Sequence, residues 1–349
     1  MKSGHREPKT EDRRPKTEDR ELTFGIIGLG RMGMLHAAHL NGAITGASLK
    51  AAAVDAEHRR RLEADGSAPA TLVDLDALIS DPAIDAVAVV SPTALHREHI
   101  ERCAAAGKAV FTEKPVAASM ADTQAVAEAV RRTGIPFQIG FQRRYDPSYA
   151  RARELIEQGA IGAVEMFRGI SCDGIPPVGY LRTSGGLFRD LGVHDIDAAR
   201  FLTGEEIVAV SATGAILIEP ALAEFDDIDH GVLTMRFGNG ALGVIQNCWR
   251  APYGYDIRAE VHGSLGKVIA EVDAREPTAL YTDKSFAFRR HDLFVERFAE
   301  AYRLELQAFV DAVRGDRAPS PGIEDGVKAF AVADAATRSR QENRWVDVY

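Results

Sequence analysis

A chain of 349 residues, 46% apolar and 27% charged, is long enough for two domains and has the composition of a soluble globular protein with ample core. A formal net charge of −9 and a pI near 5.6 leave no concentrated basic surface, so nucleic acid is not an expected partner and a small molecule is. No apolar run approaches the ~18–20 residues of a membrane span, and the N-terminus carries no hydrophobic signal core, so no membrane association is expected and the cytoplasm is the expected location.

Residues 1–20 contain "EPKTEDR" followed at once by "RPKTEDR", a near-duplicate of mixed charge with almost no apolar side chain. Such a segment cannot bury enough surface to offset its ordering entropy and is expected to be a disordered tail. Its charges nearly cancel, which does not suit a basic arm. Cys103, Cys172 and Cys248 lie far apart without C-x-x-C spacing and read as buried thiols in a reducing compartment.

Order begins at "LTFGIIGLGRMGMLHAAHL". An apolar run meets Gly28, Gly30 and Gly33 in G-x-G-x-x-G spacing, and a helical pattern follows, so Arg31 and Met32 fall at a helix N-terminus. That arrangement suits a pyrophosphate: a tight turn at Gly28, close backbone approach at Gly30, close packing at Gly33 and a helix N-terminus facing the anion. A second strand, "SLKAAAVD", ends at Asp55 about 25 residues on, where a carboxylate accepts bonds from ribose hydroxyls and repels a 2′-phosphate. The expected cofactor is therefore NAD rather than NADP, with Arg59, Arg60 and Arg61 nearby or simply on a solvated helix face.

The runs "IDAVAVVSP", "KAVFTEKP" and "IPFQIGF" alternate with the helical patterns "ALHREHIERCAAAG" and "MADTQAVAEAVRRTG". Strands alternating with helices predict a parallel sheet, a Rossmann-type α/β domain over 21–141. Ligands of such sheets sit beyond the strands' carboxyl ends, where Ser91, Pro92, Thr93, Glu113, Lys114 and the 142–145 loop fall. Lys114 either points into that crevice or is an ordinary loop lysine. His96, on the helix after Thr93, either approaches the nicotinamide side or serves packing.

Beyond residue 142 the pattern predicts an α+β domain over 142–349 with an open-faced, largely antiparallel sheet. Its strands are expected at 163–171, 207–218, 231–237, 241–248, 257–263 and 266–272, and its helices at 190–203, 293–315 and 323–340. A homodimer or homotetramer through the sheet face is expected to cover it.

The segments "GIIGLGRMG", "CAAAGKAVFTEKP", "GFQRRYDP", "GGLFRDLGVHDIDAARFLTG" and "YGYDIRAEVHGSLG" resemble, in that order, the Gfo/Idh/MocA oxidoreductases over residues 22–349. "GFQRRYDP" and "YGYD" are similar in particular to the inositol 2-dehydrogenase branch. The resemblance implies a Rossmann domain followed by an open-faced sheet domain. It implies NAD-dependent oxidation of a ring secondary alcohol of a cyclitol, myo-inositol or a related inositol, to the ketone. The alternative is an NAD(P)-dependent dehydrogenase or ketone reductase of another sugar, aminocyclitol or glycoside.

The same resemblance places the catalytic lysine on Lys114 and the Asp-x-x-x-His pair on Asp190 and His194, with substrate contacts also at Arg144 and one or both of Tyr253 and Tyr255. "CDGIPPVGY" (172–180) has no close match in it. Alcohol oxidation needs a proton acceptor that titrates near working pH, the role expected of His194. Asp190 would hold the imidazole, and Lys114 would donate to the reacting oxygen. At about 100° per helical residue Asp190, His194 and Asp197 share one face, with Asp197 facing the pocket or forming a salt bridge and Asp195 turned aside. No metal is expected, because D-x-x-x-H offers no complete ligand set. His230 and His262 are expected to be structural.

Overall fold

The computed structural model describes residues 20–271, 274–275 and 278–349. The tail expected over 1–20 lies outside the described residues except for Arg20, whose guanidinium pairs with Asp85 at 2.7 Å.

The first half alternates strand and helix. Strands β1 (Leu22–Ile27), β2 (Ala47–Ala53), β3 (Thr71–Leu72), β4 (Ala86–Val89), β5 (Ala109–Glu113) and β6 (Phe137–Gly140) form one parallel sheet in the order β3-β2-β1-β4-β5-β6. Helices α1 (Arg31–Leu40), α2 (Ala56–Asp65), α3 (Leu75–Ser80), α4 (Thr93–Ala105) and α5 (Met120–Thr133) connect them. Local chemistry sets the helix ends. Ser119 caps α5 by accepting from the Asp122 amide, and Gly134 closes it in the left-handed region at φ 66°. The strand order reverses between β1 and β4, which opens a crevice at their carboxyl ends.

The second half adds α6 (Pro147–Glu157), β7 (Val164–Cys172), a short α7 (Val178–Leu181), a π-type turn at Phe188–Gly192 and α8 (Val193–Thr203). Next come β8 (Ile207–Ala215), β9 (His230–Phe237), β10 (Leu242–Cys248), β11 (Asp256–Gly263) and β12 (Gly266–Glu271). A hairpin of β13 (Ala279–Tyr281) and β14 (Phe286–Phe288) precedes α9 (Phe294–Arg297), α10 (Ala299–Arg314), α11 (Ile323–Glu342) and β15 (Val346–Asp347). The second sheet runs β12-β11-β7-β10-β9-β8-β15 and is antiparallel except between β7 and β10. One face packs Phe167, Leu233, Met235, Ile245 and Val261 into the core. The other exposes Met166, Val208, Val232, Leu242 and Ile269.

The expected strands and helices are present with shifts of a few residues at their ends, while β3, α3, the β13–β14 hairpin and β15 were not foreseen. The larger difference concerns α10. It lies in the 142–349 segment yet packs on the first sheet, where Phe309 meets Phe24 and Phe111 edge-on with centroids 6.0 Å apart and Leu306 and Val310 complete the cluster. Part of one face of the parallel sheet is thus covered by chain from the second half, beside Ala37 and Leu40 of α1 and Leu62 of α2. Among the described residues no helix is long and apolar enough to cross a membrane.

Candidate active site

The crevice begins at the glycine turn. Gly28 has φ 96°, and a Cβ there would lie 2.6 Å from the Val90 carbonyl and 2.7 Å from the Ser91 amide nitrogen. The loops after β1 and β4 therefore touch at the switch point. A Cβ on Gly33 would fall 2.1 Å from the Gly28 carbonyl, so the helix can lie this close to the turn only with glycine there. A Cβ on Gly30 would meet nothing within 4 Å, and α1 begins after Gly30 without a side-chain cap. Open space before an uncapped helix N-terminus fits a pyrophosphate. Asp55 caps α2 through one oxygen, Oδ1, which accepts from the His58 and Glu57 amides and so holds the exposed carboxyl below its usual range. Its second oxygen stays available to a ribose.

Other residues expected at the cofactor divide into two groups. Pro92 and Thr93 open α4 with no side-chain cap, and the Arg31 guanidinium stands over the Phe294 ring at 5.6 Å. Met32 is partly buried against the cluster of Tyr255, Ile257, Phe298, Ala301 and Tyr302. His96, by contrast, is 1% exposed and reaches two backbone carbonyls, Nδ1 to Pro115 and Nε2 to Ser91, both at 2.8 Å. It ties the two crevice loops together, with both ring nitrogens engaged on their backbones. Ser91 Oγ is likewise engaged, 2.8 Å from His99 Nδ1. The Glu113 side chain also turns inward, 2.8 Å from His36 Nε2.

Lys114 lies in the crevice. Its Nζ donates to the Asp190 carbonyl at 2.7 Å and to Asp190 Oδ1 at 2.8 Å, joining the end of β5 to the π-type turn. Tyr180, on α7 in the 172–180 stretch that has no close match among the motifs above, donates its hydroxyl to the same carboxylate oxygen at 3.1 Å. Asp173, at the end of β7, also belongs to this wall: burial raises its carboxyl above the usual range, with Arg31 pulling it down and Asp190 pushing it up.

His194 lies beside this pair, but Asp190 does not hold it. No hydrogen bond joins the two, and His194 Nδ1 is buried without a partner among the described residues. The Asp190 carboxylate is engaged elsewhere: its Oδ1 accepts from Lys114 Nζ at 2.8 Å and from the Tyr180 hydroxyl at 3.1 Å. Burial pushes the imidazole well below its ordinary value, and the Lys114 and Arg143 cations push it the same way.

Several further expectations need correction. Arg144 is not free for a substrate: it grips Asp197 through Nε at 2.9 Å and Nη2 at 2.6 Å and reaches Asp325 at 2.8 Å. Burial alone would depress that guanidinium, and the two carboxylates more than offset it. Asp197 thus takes the salt-bridge role. Asp195 is no bystander. At 1% exposure it accepts from Arg143 at 2.5 Å, Ser171 at 2.8 Å and Asn247 at 2.7 Å. Nothing in the doubled arginine of "QRRY" marked Arg143 as the buried one. Tyr255 is buried edge-on against Phe298, and Tyr253 is exposed with its hydroxyl donating to Asp256 at 3.0 Å. Neither bonds Lys114, Asp190 or His194.

The family models match at this point. The model described as the oxidoreductase family's NAD-binding Rossmann fold matches residues 22–141, and that of its C-terminal alpha/beta domain matches residues 153–348. The chain belongs to the Gfo/Idh/MocA oxidoreductase family. It is 39% identical over 330 residues to the inositol 2-dehydrogenase of Rhizobium meliloti, covering 93% of this chain and 98% of that one. It is 38% identical over 329 residues to the myo-inositol 2-dehydrogenase of Thermotoga maritima, again covering 93% and 98%. The crystal structure of scyllo-inositol dehydrogenase from Lactobacillus casei, with bound NAD(H) and scyllo-inositol, matches with a TM-score of 0.85 at 30% identity over 94% of this chain and 99% of that one. As in the family, the parallel sheet comes first and the mostly antiparallel sheet second, and the chain is an oxidoreductase with an NAD-binding Rossmann fold.

Removing one partner of a fully buried ion pair strands the other charge. Arg143→Met should therefore destabilise the fold by about 3–5 kcal/mol, read as a lower midpoint in urea unfolding.

Proposed function

We propose that the protein oxidises a ring secondary alcohol of an inositol to the ketone with NAD, with His194 as proton acceptor. The observation that carries this reading is the meeting of Lys114 Nζ and Asp190 at 2.8 Å beside the half-buried His194 imidazole, in a crevice whose glycine turn suits a pyrophosphate. The inositol-acting relatives over nearly the whole chain supply the substrate class.

NAD, when bound, supplies the hydride acceptor. Gly28, Gly30, Arg31, Met32 and Gly33 would hold its pyrophosphate, Asp55 a ribose, and Ser91, Pro92 and Thr93 the far side of the crevice. The chain then has a proton to move. Burial keeps the His194 imidazole neutral near pH 7, so a ring nitrogen can take the proton of a substrate hydroxyl. Lys114, fixed by Asp190, donates to the oxygen as negative charge grows on it. Tyr180 keeps the Asp190 carboxylate turned towards Lys114 and adds a hydroxyl to the substrate wall. Cytoplasmic location fits an NAD-dependent enzyme whose three cysteines are free and buried.

His194→Ala should lower turnover by about 10²–10⁴-fold in an assay of NADH formation while NAD binding survives, as losing a general base predicts. A change only in the KM for the alcohol would contradict the assignment. The imidazole is depressed below its ordinary value of about 6.5, so the base stays unprotonated down through that pH. The acid limb of the kcat/KM profile is therefore expected below about 6.5, and a limb at or above that value contradicts the role.

Asp55→Ala should weaken NAD binding in calorimetric titration and narrow the preference over NADP, with turnover at saturating NAD retained.

The exposed sheet face, with Met166, Val232, Leu242 and Ile269 in open view, is the surface through which we infer a homodimer or homotetramer forms. Light scattering at micromolar concentration should give a multiple of the 37.8 kDa chain; a monomer would refute this.

A further inference from the structure

Behind Lys114 lies a group of acids that the reaction does not use. His36 on α1, Glu113 at the end of β5 and Glu305 on α10 present ligand-type atoms that all lie within 4.8 Å of one another. His36 and Glu305 are fully buried and Glu113 nearly so. His36 satisfies one Glu113 oxygen at 2.8 Å, and the other faces the Lys114 backbone amide at 3.3 Å. Glu305 is different. Both of its carboxyl oxygens are buried with no hydrogen-bond partner among the described residues, although its backbone carbonyl accepts from Gln138 at 2.9 Å.

No lysine or arginine bonds either carboxyl group among the described residues, so two buried negative charges would stand within a few ångströms of each other. A buried carboxylate without a hydrogen-bonding or cationic partner is strongly disfavoured and takes up a proton instead. Burial raises the Glu305 carboxyl well above its ordinary range, and Glu113 raises it further.

We propose that Glu305 is a neutral carboxylic acid that donates its hydrogen bond to the Glu113 carboxylate, which makes it a positioning residue for Lys114. The chain of residues is short. A Glu305 carboxyl oxygen lies within 4.8 Å of one of Glu113; Glu113 is clamped by His36 and packs so tightly on β6 that a Cβ at Gly140 would lie 3.1 Å from its Oε2. Lys114 is the next residue. The lysine's place opposite Asp190 thus depends on α10, which reaches the first sheet from the far end of the chain. The positioning part of this inference rests on the role of Lys114 given above; the protonation state does not.

The test uses the full chain. At neutral pH the infrared difference between wild type and Glu305→Gln should contain the carbonyl stretch of one protonated carboxyl group that shifts in heavy water. Its absence would overturn the proposal, as would one equivalent of tightly bound metal that the Gln variant loses. Glu305→Gln keeps a donor of the same size and should leave kcat within about a factor of two. Glu305→Leu removes the donor and should lower kcat by about 10- to 100-fold with the KM for NAD unchanged, the order that a displacement of about 1 Å at a reacting group costs. Equal losses in both variants would mean that an ionised Glu305 is needed and would also overturn it. Should Glu305→Leu fail to fold, the infrared band and the Gln variant still decide. A wild type inactive on every inositol would sink the proposed reaction, and the band alone would then decide the state of Glu305.

Discussion

Lys114 and Asp190 come from opposite halves of the molecule, one from just past the end of a parallel-sheet strand and the other from an irregular turn that leads into α8. Their 2.8 Å contact is where the two sheets agree on a common geometry. A lysine ammonium is a compact point charge on a flexible stem, and without a fixed partner it would sample many positions. Here it is held twice by the same residue, through carbonyl and carboxylate, with Tyr180 on the second. The crevice therefore has a defined wall before any ligand arrives, which is the condition for electrostatic help without reorganisation at the moment of reaction.

The neighbouring charges follow the same logic of commitment. One short helix, α8, carries Asp195 and Asp197 to two adjacent arginines, Arg143 and Arg144, and both pairs are buried or nearly so. These pairs fix the helix to the 3-10 turn at Gln142–Tyr145 and to α11, leaving His194 between them as a titratable side chain without an acidic partner. A histidine flanked by paired charges and itself unpaired stays neutral, because burial penalises its cation and no carboxylate favours it. Polarity close to the site holds the frame, and the His194 ring is left free of it.

Much of this arrangement was legible in the chain. The glycine spacing, the period of the parallel strands and the position of Lys114 at a strand's carboxyl end all rest on local rules, and the structure obeys them. The failures came where a long-range fact overrode a local one. The 3.6-residue period puts Asp190 and His194 on one face, but it is Lys114, some 76 residues away, and Tyr180 that take the carboxylate. Arg143 and Arg144 are neighbours of identical type, and only the packing of α8 decides which is more deeply buried. His96 and Glu113 stand in the right loops, yet their side chains point inward, which spacing alone does not tell. Glu305 belongs to an amphipathic helix whose destination, the first sheet, is invisible in its own pattern.

That destination has a consequence for the order in which the molecule can be made. Phe24 and Phe111 are synthesised early, and the ring that covers them, Phe309, about 200 residues later. Until then the face that α1 and α2 share with α10 is only partly covered. A nascent chain released at the boundary between the two halves would leave Phe24 and Phe111 without the Phe309 ring. The packing of the first sheet is finished only when the end of the chain comes back to its beginning.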